Sequence, residues 1–398
     1  MISASATIFF LIALLILSAG HYYLWRRMVR DTELSGRARR IATWGIVLAA
    51  VVLVPIWILS RVLPRDLLGI PSLVAFSWKG LLYYALLILA GFEILRLARR
   101  LLSRKSSKPT GSIGAQASDD FVTRRAFLAR TAAGSAVVGS SVISSFGIRS
   151  AFYDLQTPTI QVRLPRLPPA LSGLRVAVIS DAHLGPVLGE DFVKQMVEKT
   201  NLLRPDLVAI TGDLVDGSVN NLAHDVAPLA GLKSRFGTFF ITGNHEYYSG
   251  VEQWLQHMPT LDIQVLGNRR VSIGDGKTSL DLVGVHDYRG SGSKELLPDL
   301  PAALAGRDPE RECVLLAHQP VHIHEASDHD VGLQISGHTH GGQIWPFGVL
   351  TGLTQPYIHG LHQHSTNTQI YVTRGTGFWG PPIRVLAPAE ISLLVLTT

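Results

Sequence analysis

Two histidines close an apolar run in residues 335–343, which read I-S-G-H-T-H-G-G-Q. If the backbone stays extended there, His338 and His340 point to the same face, because the side chains of a strand alternate between its two faces. Two imidazoles on one face could bind a metal ion, or they could be polar residues at the end of a strand. This motif alone leaves both interpretations open.

Four other apolar runs also end in residues of the metal-ligand type. The runs are followed by D-A-H at 181–183, G-D-L-V-D at 212–216, G-N-H-E at 243–246 and H at 318. Carboxylate, amide and imidazole groups are ligands that suit Mn, Fe, Zn or Mg, and they differ from the thiolate ligands of a cysteine site. Each motif alone could be an ordinary turn, whereas the five together supply the ligand inventory of a site for two divalent metal ions.

The elements that carry these motifs predict an α/β fold. The five apolar runs are short enough for buried strands, and amphipathic helical patterns such as residues 190–203 lie between them. In sheets of this kind the residues just beyond the carboxyl ends of the strands form the site. We therefore expect the five motifs to converge.

The order D-x-H, G-D-x-x-D, G-N-H-E, H and G-H-x-H resembles the calcineurin-like metallophosphoesterase superfamily, from about residue 174 to 396. The later stretches G-H-T-H-G-G-Q, Y-I-H-G, R-G-T-G-F-W-G-P-P-I-R and P-A-E-I are similar to a bacterial membrane-linked branch of it. The resemblance implies two facing β-sheets flanked by helices in a metallophosphoesterase domain at 157–398. It does not extend to residues 1–120.

The resemblance also implies two bound metal ions and a set of ligands. The first metal would be held by Asp181, His183, Asp213 and His340, and the second by Asn244, His318, His338 and again Asp213. A hydroxide bridging the two metals would be the nucleophile, because the cations lower its pKa toward about 7. The identity of the metals stays open among Mn, Fe, Zn and Mg.

His245 follows the ligand Asn244 directly and has no metal in the family scheme. We therefore assign it as the catalytic residue that gives a proton to the leaving oxygen or stabilises the charge of the transition state. Asp216 or Glu246 could orient its ring, and the sequence does not choose between them.

Composition predicts membrane segments in addition to this domain. Of 398 residues, 47% are hydrophobic and 17% are charged, which is too apolar for an ordinary soluble protein. Three apolar stretches in the region 1–102 approach the roughly 20 residues that cross a bilayer. They lie at residues 4–24, 41–60 and 71–95.

The distribution of basic residues predicts the orientation of these helices. Residues 1–150 carry 19 of the 36 Lys and Arg residues but 6 of the 30 Asp and Glu residues, mostly in segments 26–40 and 96–125. The positive-inside rule places both segments in the cytoplasm, including a flexible linker at 103–122. Basic residues beside apolar segments report topology, so we expect no nucleic-acid partner.

The stretch T-R-R-A-F-L-A-R at 123–130 resembles the twin-arginine export motif and precedes a moderately apolar stretch. It predicts a signal or anchor segment at 123–150, the twin-arginine translocase as a partner, and the catalytic domain on the extracytoplasmic side of the inner membrane. The alternative is a basic helix cap before a poor transmembrane helix.

The predicted function is hydrolysis of phosphodiester or pyrophosphate bonds in a phosphorylated small molecule or lipid. One alternative is a pyrophosphatase of nucleotide-sugar lipids, which requires the domain on the cytoplasmic face. The other is a non-catalytic membrane sensor that keeps a metal site. A sensor would be expected to have lost a ligand or His245, and all of these residues are present.

Overall fold

The computed structural model describes residues 4–60, 63, 65–106, 119–276, 278–288 and 294–398. The chain divides into two compact units, one formed by Met1–Trp57 with Val74–Phe146 and the other by Ile58–Leu73 with Gly147–Thr398. The first unit is helical. The second contains both β-sheets.

The described residues before the sheets form four long helices, α1 Ala4–Trp25, α2 Gly36–Leu59, α3 Arg65–Ser106 and α4 Asp119–Tyr153. Among the described residues, three segments are helical, long and apolar enough to cross a membrane: Gly36–Leu59, Arg65–Ser103 and Arg124–Tyr153. Two of them coincide with predicted spans. The third falls on the segment for which the sequence predicted a signal or anchor.

The first predicted span, at residues 4–24, is helical as α1. The predicted linker at 103–122 falls mainly on residues 107–118, which lie outside the described residues. The boundaries of the membrane region and of the domain at 157 stay predictions.

In the described part of the chain, twelve strands form two mixed sheets of six strands each. The strands are β1 Thr159–Arg163, β2 Leu174–Ile179, β3 Leu207–Ile210, β4 Thr238–Phe240, β5 Ile263–Val265, β6 Arg269–Asp275, β7 Thr278–Gly284, β8 Cys313–Leu316, β9 Leu333–Ser336, β10 Gly360–Gln363, β11 Gln369–Val372 and β12 Ser392–Thr397. One sheet has the order β1-β12-β2-β3-β4-β5 and the other β10-β11-β9-β8-β7-β6.

The sheets face each other, and helices cover their outer faces. Along β2, Val176 and Val178 pack into a core shared with β8 and β9, whereas Ala177 and Ile179 point to the opposite side and pack against helix residues. This alternation follows from the two-residue period of a strand. The shorter helices are α5 Glu190–Leu202, α6 Val219–Val226, α7 Asn244–Tyr248, α8 Val251–His257, α9 Leu300–Leu304, α10 Ile323–Asp328 and α11 Gly348–Thr351.

The predicted fold class, two facing sheets flanked by helices, is confirmed. All five apolar runs predicted as strands are strands, namely β2, β3, β4, β8 and β9. β2, β3 and β4 are parallel neighbours in one sheet, and β8 and β9 are parallel neighbours in the other. The carboxyl ends of neighbouring parallel strands meet at one edge of a sheet, so the loops that carry the motifs converge there.

Candidate metal centre

Asp213, just beyond β3, lies between two groups of candidate ligands. Its Oδ2 is 3.2 Å from His318 Nε2 and 3.9 Å from His183 Nε2. Its Oδ1 accepts a hydrogen bond from the backbone N–H of His245 at 2.8 Å. One buried carboxylate therefore lies close to residues that follow β2, β4 and β8, which is the position of a shared ligand.

The first group consists of Asp181, His183 and His340. The Nε2 atoms of the two histidines are 3.0 Å apart, and His340 Nε2 is 3.4 Å from Asp181 Oδ1. One ligand atom from each of the three residues lies within 4.8 Å of the others, and all three residues are buried. This is the ligand set that the sequence predicted for the first metal, apart from the shared Asp213.

The second group consists of Asp213, His318 and His338, with ligand atoms within the same 4.8 Å limit. The rings of His318 and His338 have centroids 5.1 Å apart. Asn244 is buried one residue before His245 and completes the predicted set. A third group that meets the same limit, His183 with Asp213 and His245, lies between the other two.

Two buried atoms of the second group suit a cation. His318 Nδ1 donates to the carbonyl of Thr211 at 2.8 Å, so Nε2 is the nitrogen that faces Asp213. Burial opposes the charged form of His318, but Asp213 holds its pKa well above the ordinary value. That Nε2 atom, although close to Asp213, and the buried Oδ1 of Asn244 make no hydrogen bond to the described residues. A buried acceptor such as Asn244 Oδ1 is costly without a donor, and a cation could take the place of the proton on His318 Nε2, so these residues fit a divalent cation.

The loops hold five of the ligand candidates in an unusual backbone conformation. Residues other than glycine rarely adopt positive φ, because Cβ crowds the backbone there. The five with positive φ are Asp181 (52°), His183 (47°), Asp213 (50°), His338 (70°) and His340 (52°). Such strain, about 1–3 kcal/mol per residue, persists only where the surrounding structure imposes it, and it concentrates at functional sites.

The backbone at residues 338–340 is not extended, so the condition for the two rings to share a face is not met. Thr339 has helical angles (φ −82°, ψ −16°) between two residues of positive φ, so the chain coils instead of continuing β9. His340 consequently joins Asp181 while His338 joins Asp213. Gly337 makes this turn fit, because a Cβ there would lie 2.2 Å from Asp181 Oδ2.

Asp216, and not Glu246, contacts the side chain of His245. Asp216 Oδ1 is hydrogen-bonded to His245 Nδ1, and its Oδ2 lies 3.2 Å from His183 Nδ1. Both rings therefore turn their other nitrogen away from Asp216. Burial opposes ionisation of Asp216, yet His245 and His183 hold its pKa well below the ordinary value.

Glu246 instead holds the loops in place. Its fully buried carboxylate accepts hydrogen bonds from four backbone N–H groups, those of Asp213, Leu214, Val215 and Gly243, at 2.6–3.2 Å. Burial and the Asp213 charge raise the pKa of Glu246 to about 8, although the backbone donors act to lower it. The β3 and β4 loops are thus tied together beneath the site.

The charges of neighbouring residues shift the pKa values of the candidate ligands. Burial disfavours the charged form of Asp213, but His318 and His245 hold its pKa well below the ordinary value. Burial and the charge on His318 lower the pKa of His338 to about 4, so this ring is neutral and can act as a ligand.

The sequence suggested Arg384 as a phosphate or substrate contact, or as a structural salt bridge, and missed its role as a fully buried support of the site. Its guanidinium donates to the carbonyls of Gly377 and Ala387 at 2.7 and 2.8 Å, and its Nη2 lies 3.3 Å from His340 Nδ1. Trp379 was also missed. Its ring centroid lies 6.3 Å from that of His245, and the residue is half exposed.

Comparisons with known proteins identify the family of this chain. The family model described as "Calcineurin-like phosphoesterase" matches residues 174–342. A Bos taurus protein described as "Transmembrane protein with metallophosphoesterase domain" is 34% identical over 397 residues, covering 95% of this chain and 86% of that protein. The match therefore includes helices of the N-terminal region.

A Helicobacter pylori protein described as an "Uncharacterized metallophosphoesterase" is 45% identical over 224 residues, which is 56% of this chain. The chain spans about 60% of the length of that relative. A solved structure of a dimetal phosphatase from Danio rerio is 14% identical with a TM-score of 0.34, and the match covers 55% of this chain and 91% of that one.

Proposed function

This chain belongs to the calcineurin-like phosphoesterase family, and we propose that it is a membrane-bound hydrolase of phosphodiester or pyrophosphate bonds that depends on two divalent metal ions. The observation that carries this proposal is the position of Asp213, within reach of ligands from two buried groups. The sequence supplies the residue types, and the strand ends bring them together.

Seven residues hold the metals in this proposal. Asp181, His183 and His340 form one half of the site, Asn244, His318 and His338 form the other, and Asp213 serves both. When bound, the two cations would polarise phosphoryl oxygens and lower the pKa of a water molecule. The donor set leaves the choice among Mn, Fe, Zn and Mg open.

His245 acts on the leaving oxygen. Because its Nδ1 is hydrogen-bonded to Asp216, Nε2 is the nitrogen from which it donates a proton. Asp216 fixes the orientation of the ring and stabilises its protonated form. The same carboxylate turns Nε2 of His183 toward the first group of ligands.

The catalytic unit lies outside the cytoplasm in this proposal. Arg65, at the start of α3, contacts Asp225 at 3.6 Å, so the chain between α2 and α3 is on the same side of the membrane as the sheets. That connection carries two arginines, whereas residues 26–40 carry six. The positive-inside rule therefore supports a cytoplasmic position for the basic segments and an extracytoplasmic one for the sheets.

Export through a twin-arginine type of route is part of the same proposal. Arg124 and Arg125 are exposed on α4. Farther along this helix, Ala132 and Ala136 pack against Leu82, Ala85 and Leu89 of α3. A helix packed in this way supports an anchor that remains in the protein rather than a segment that is removed.

The nucleotide-sugar lipid pyrophosphatase requires the opposite location and is supported by none of these contacts. The non-catalytic sensor is disfavoured because His245 and Asp216 are both in place and hydrogen-bonded to each other. A sensor has no need for an oriented proton donor.

Chelation tests the proposed activity directly. The full chain, purified in detergent, is stripped with EDTA and assayed with bis(p-nitrophenyl) phosphate and p-nitrophenyl phosphate, before and after addition of Mn, Fe(II), Zn or Mg. We expect hydrolysis to disappear on chelation and to return with at least one metal. Hydrolysis that persists after chelation, or that no metal restores or supports, would overturn the proposal.

A further inference from the structure

The start of α3 touches the loop that follows His183. A Cβ at Gly69 would lie 3.1 Å from the carbonyl oxygen of Pro186, and Arg65 contacts Asp225. These residues belong to the same compact unit as the sheets. Arg65–Ser103 is a candidate membrane span, so its first turns contact the loop that follows His183.

The end of α4 touches a second part of the site. The N–H of Arg384 donates to the carbonyl of Gly147 at 2.9 Å, and the rings of Phe152 and Phe378 meet edge to face at 5.4 Å. Arg384 approaches His340, and Phe378 precedes Trp379, which flanks His245. One end of each of these two candidate spans, the start of α3 and the end of α4, thus contacts loops near the site.

An exposed apolar surface lies next to these attachments. It consists of residues 345–353 (W-P-F-G-V-L-T-G-L) together with Trp379 and Leu386, and we call it the lip. Leu353 is 79% exposed, Leu386 77% and Trp345 59%. Trp345 N–H donates to the carbonyl of Val385 at 3.3 Å, one residue from the contact between Arg384 and Gly147.

The lip is also continuous with the metal centre. It begins five residues after His340, and a Cβ at Gly342 would lie 2.6 Å from Cα of Gly348. Gln343 donates to the carbonyl of Trp379 at 3.0 Å and accepts from its N–H at 2.9 Å. Large apolar side chains that surround a polar site and face solvent are typical of a surface that contacts a membrane or a partner.

We infer that the lip lies in the interfacial layer of the bilayer and that the site hydrolyses phosphoesters carried by membrane lipids. Tryptophan and leucine side chains at the end of a membrane helix suit this layer, where one side of a residue is apolar and the other is wet. The membrane is the occupant because Val385, which accepts from Trp345 of the lip, directly follows Arg384, which donates to Gly147 in the candidate span Arg124–Tyr153. This inference rests on the proposed function and narrows its substrate class.

A lipid phosphodiester reaches the site from the leaflet in this arrangement. Water supplies the oxygen of the new bond to phosphorus, the bond between phosphorus and the leaving oxygen breaks, and that oxygen takes a proton through His245. The acyl chains stay in the bilayer while the phosphate enters between the lip and the loop after His183.

A single labelled cysteine tests where the lip lies. Cys313 is the one cysteine of the sequence and is buried, so Leu353→Cys in the full chain can be labelled selectively with an environment-sensitive fluorophore. In phosphatidylglycerol nanodiscs, we expect a blue-shifted emission that nitroxide-labelled lipids quench. Glu310→Cys, at the opposite edge of the sheet before β8, should give neither effect.

Water-like emission at position 353 would overturn the inference. Blue-shifted emission without quenching by the labelled lipid would also overturn it, because another protein surface such as a second copy of this chain would then cover the lip. Equal quenching at positions 353 and 310 would likewise count against it.

Two matched probes test the substrate class. Dioleoylglycerol phosphate esterified to 4-methylumbelliferone and methyl 4-methylumbelliferyl phosphate carry the same leaving group, one on a lipid and one in water. We expect Leu350→Asp/Leu353→Asp to lower hydrolysis of the lipid probe by about tenfold or more, with hydrolysis of the soluble probe retained.

An equal effect on both probes, or none, would contradict a lipid substrate while leaving the proposed function intact. No hydrolysis of either probe by the parent would instead contradict the proposed function, and the labelled cysteine would still decide the position of the lip.

Discussion

Asp216 and His245 are 29 residues apart in the sequence, and their side chains are hydrogen-bonded through Oδ1 and Nδ1 in the structure. The other oxygen of Asp216 lies 3.2 Å from Nδ1 of His183, a candidate metal ligand. One carboxylate therefore couples the proposed proton donor to the proposed metal site. The two roles can be separated by substitution.

Removing the imidazole of His245 should separate binding from chemistry. Because His245 is not a ligand in this proposal, His245→Ala should keep both metals and lower turnover by about 10²–10⁴-fold. The loss should be smaller for esters with good leaving groups, which need less protonation. Metal analysis and turnover with a series of substituted phenyl esters measure both effects.

His224→Ala, at an exposed histidine of α6, is the matched control and should resemble the parent. Loss of a metal from His245→Ala would mean that the group of His183, Asp213 and His245 is a true metal site.

Asp216→Asn should weaken metal binding as well as turnover. The amide keeps the shape of the side chain but loses the charge that orients His183 and His245, and outer partners of metal ligands contribute about 10–100-fold to affinity. Titration of the stripped protein with Zn or Mn measures the change, with exposed Asp275→Asn as the control. An unchanged affinity would show that Asp216 serves His245 alone.

Glu246→Gln should destabilise the domain. A glutamine has one acceptor oxygen and would point its own N–H groups at some of the four backbone donors, so buried donors would lose their partners. We expect the melting temperature in detergent to fall by about 5–15 °C, against no clear change for exposed Glu252→Gln. A melting temperature like that of the parent would rule out the structural role of Glu246.

The route across the membrane depends on Arg124 and Arg125 in the proposed topology. Changing both to Lys keeps the charge but loses the guanidinium geometry, so a folded domain should remain inside the cell. Protease added to spheroplasts should then spare residues 157–398 of the variant and digest or release them in the parent. Equal protection in both would favour the cytoplasmic alternative.

The sequence predicted the sheets well because their strands are short apolar runs that end at polar residues. β2 and β9 each end at a polar motif, so the run and its boundary are visible together. It predicted the long helices less completely. α3 extends well beyond the apolar stretch at 71–95, since charged residues such as Arg96 and Arg99 continue the helix without contributing hydropathy.

The residue types of the metal centre were visible in the sequence, but their geometry was not. The separation of His338 from His340 into different groups depends on their positive φ values, which are uncommon for residues other than glycine. The choice of Asp216 over Glu246 depends on which carboxylate reaches His245 and which reaches the backbone N–H groups. The spacing of these residues along the chain predicts neither the separation of the two histidines nor the choice of carboxylate.

The metal content of Asp213→Asn, measured together with hydrolysis, tests the dimetal centre most directly. The parent should bind two divalent ions per chain, and Asp213→Asn should retain one or none and lose hydrolysis by orders of magnitude, because the shared negative charge is gone. A variant that still carries two metals and still hydrolyses phosphodiesters would rule out Asp213 as the ligand shared by the two metals.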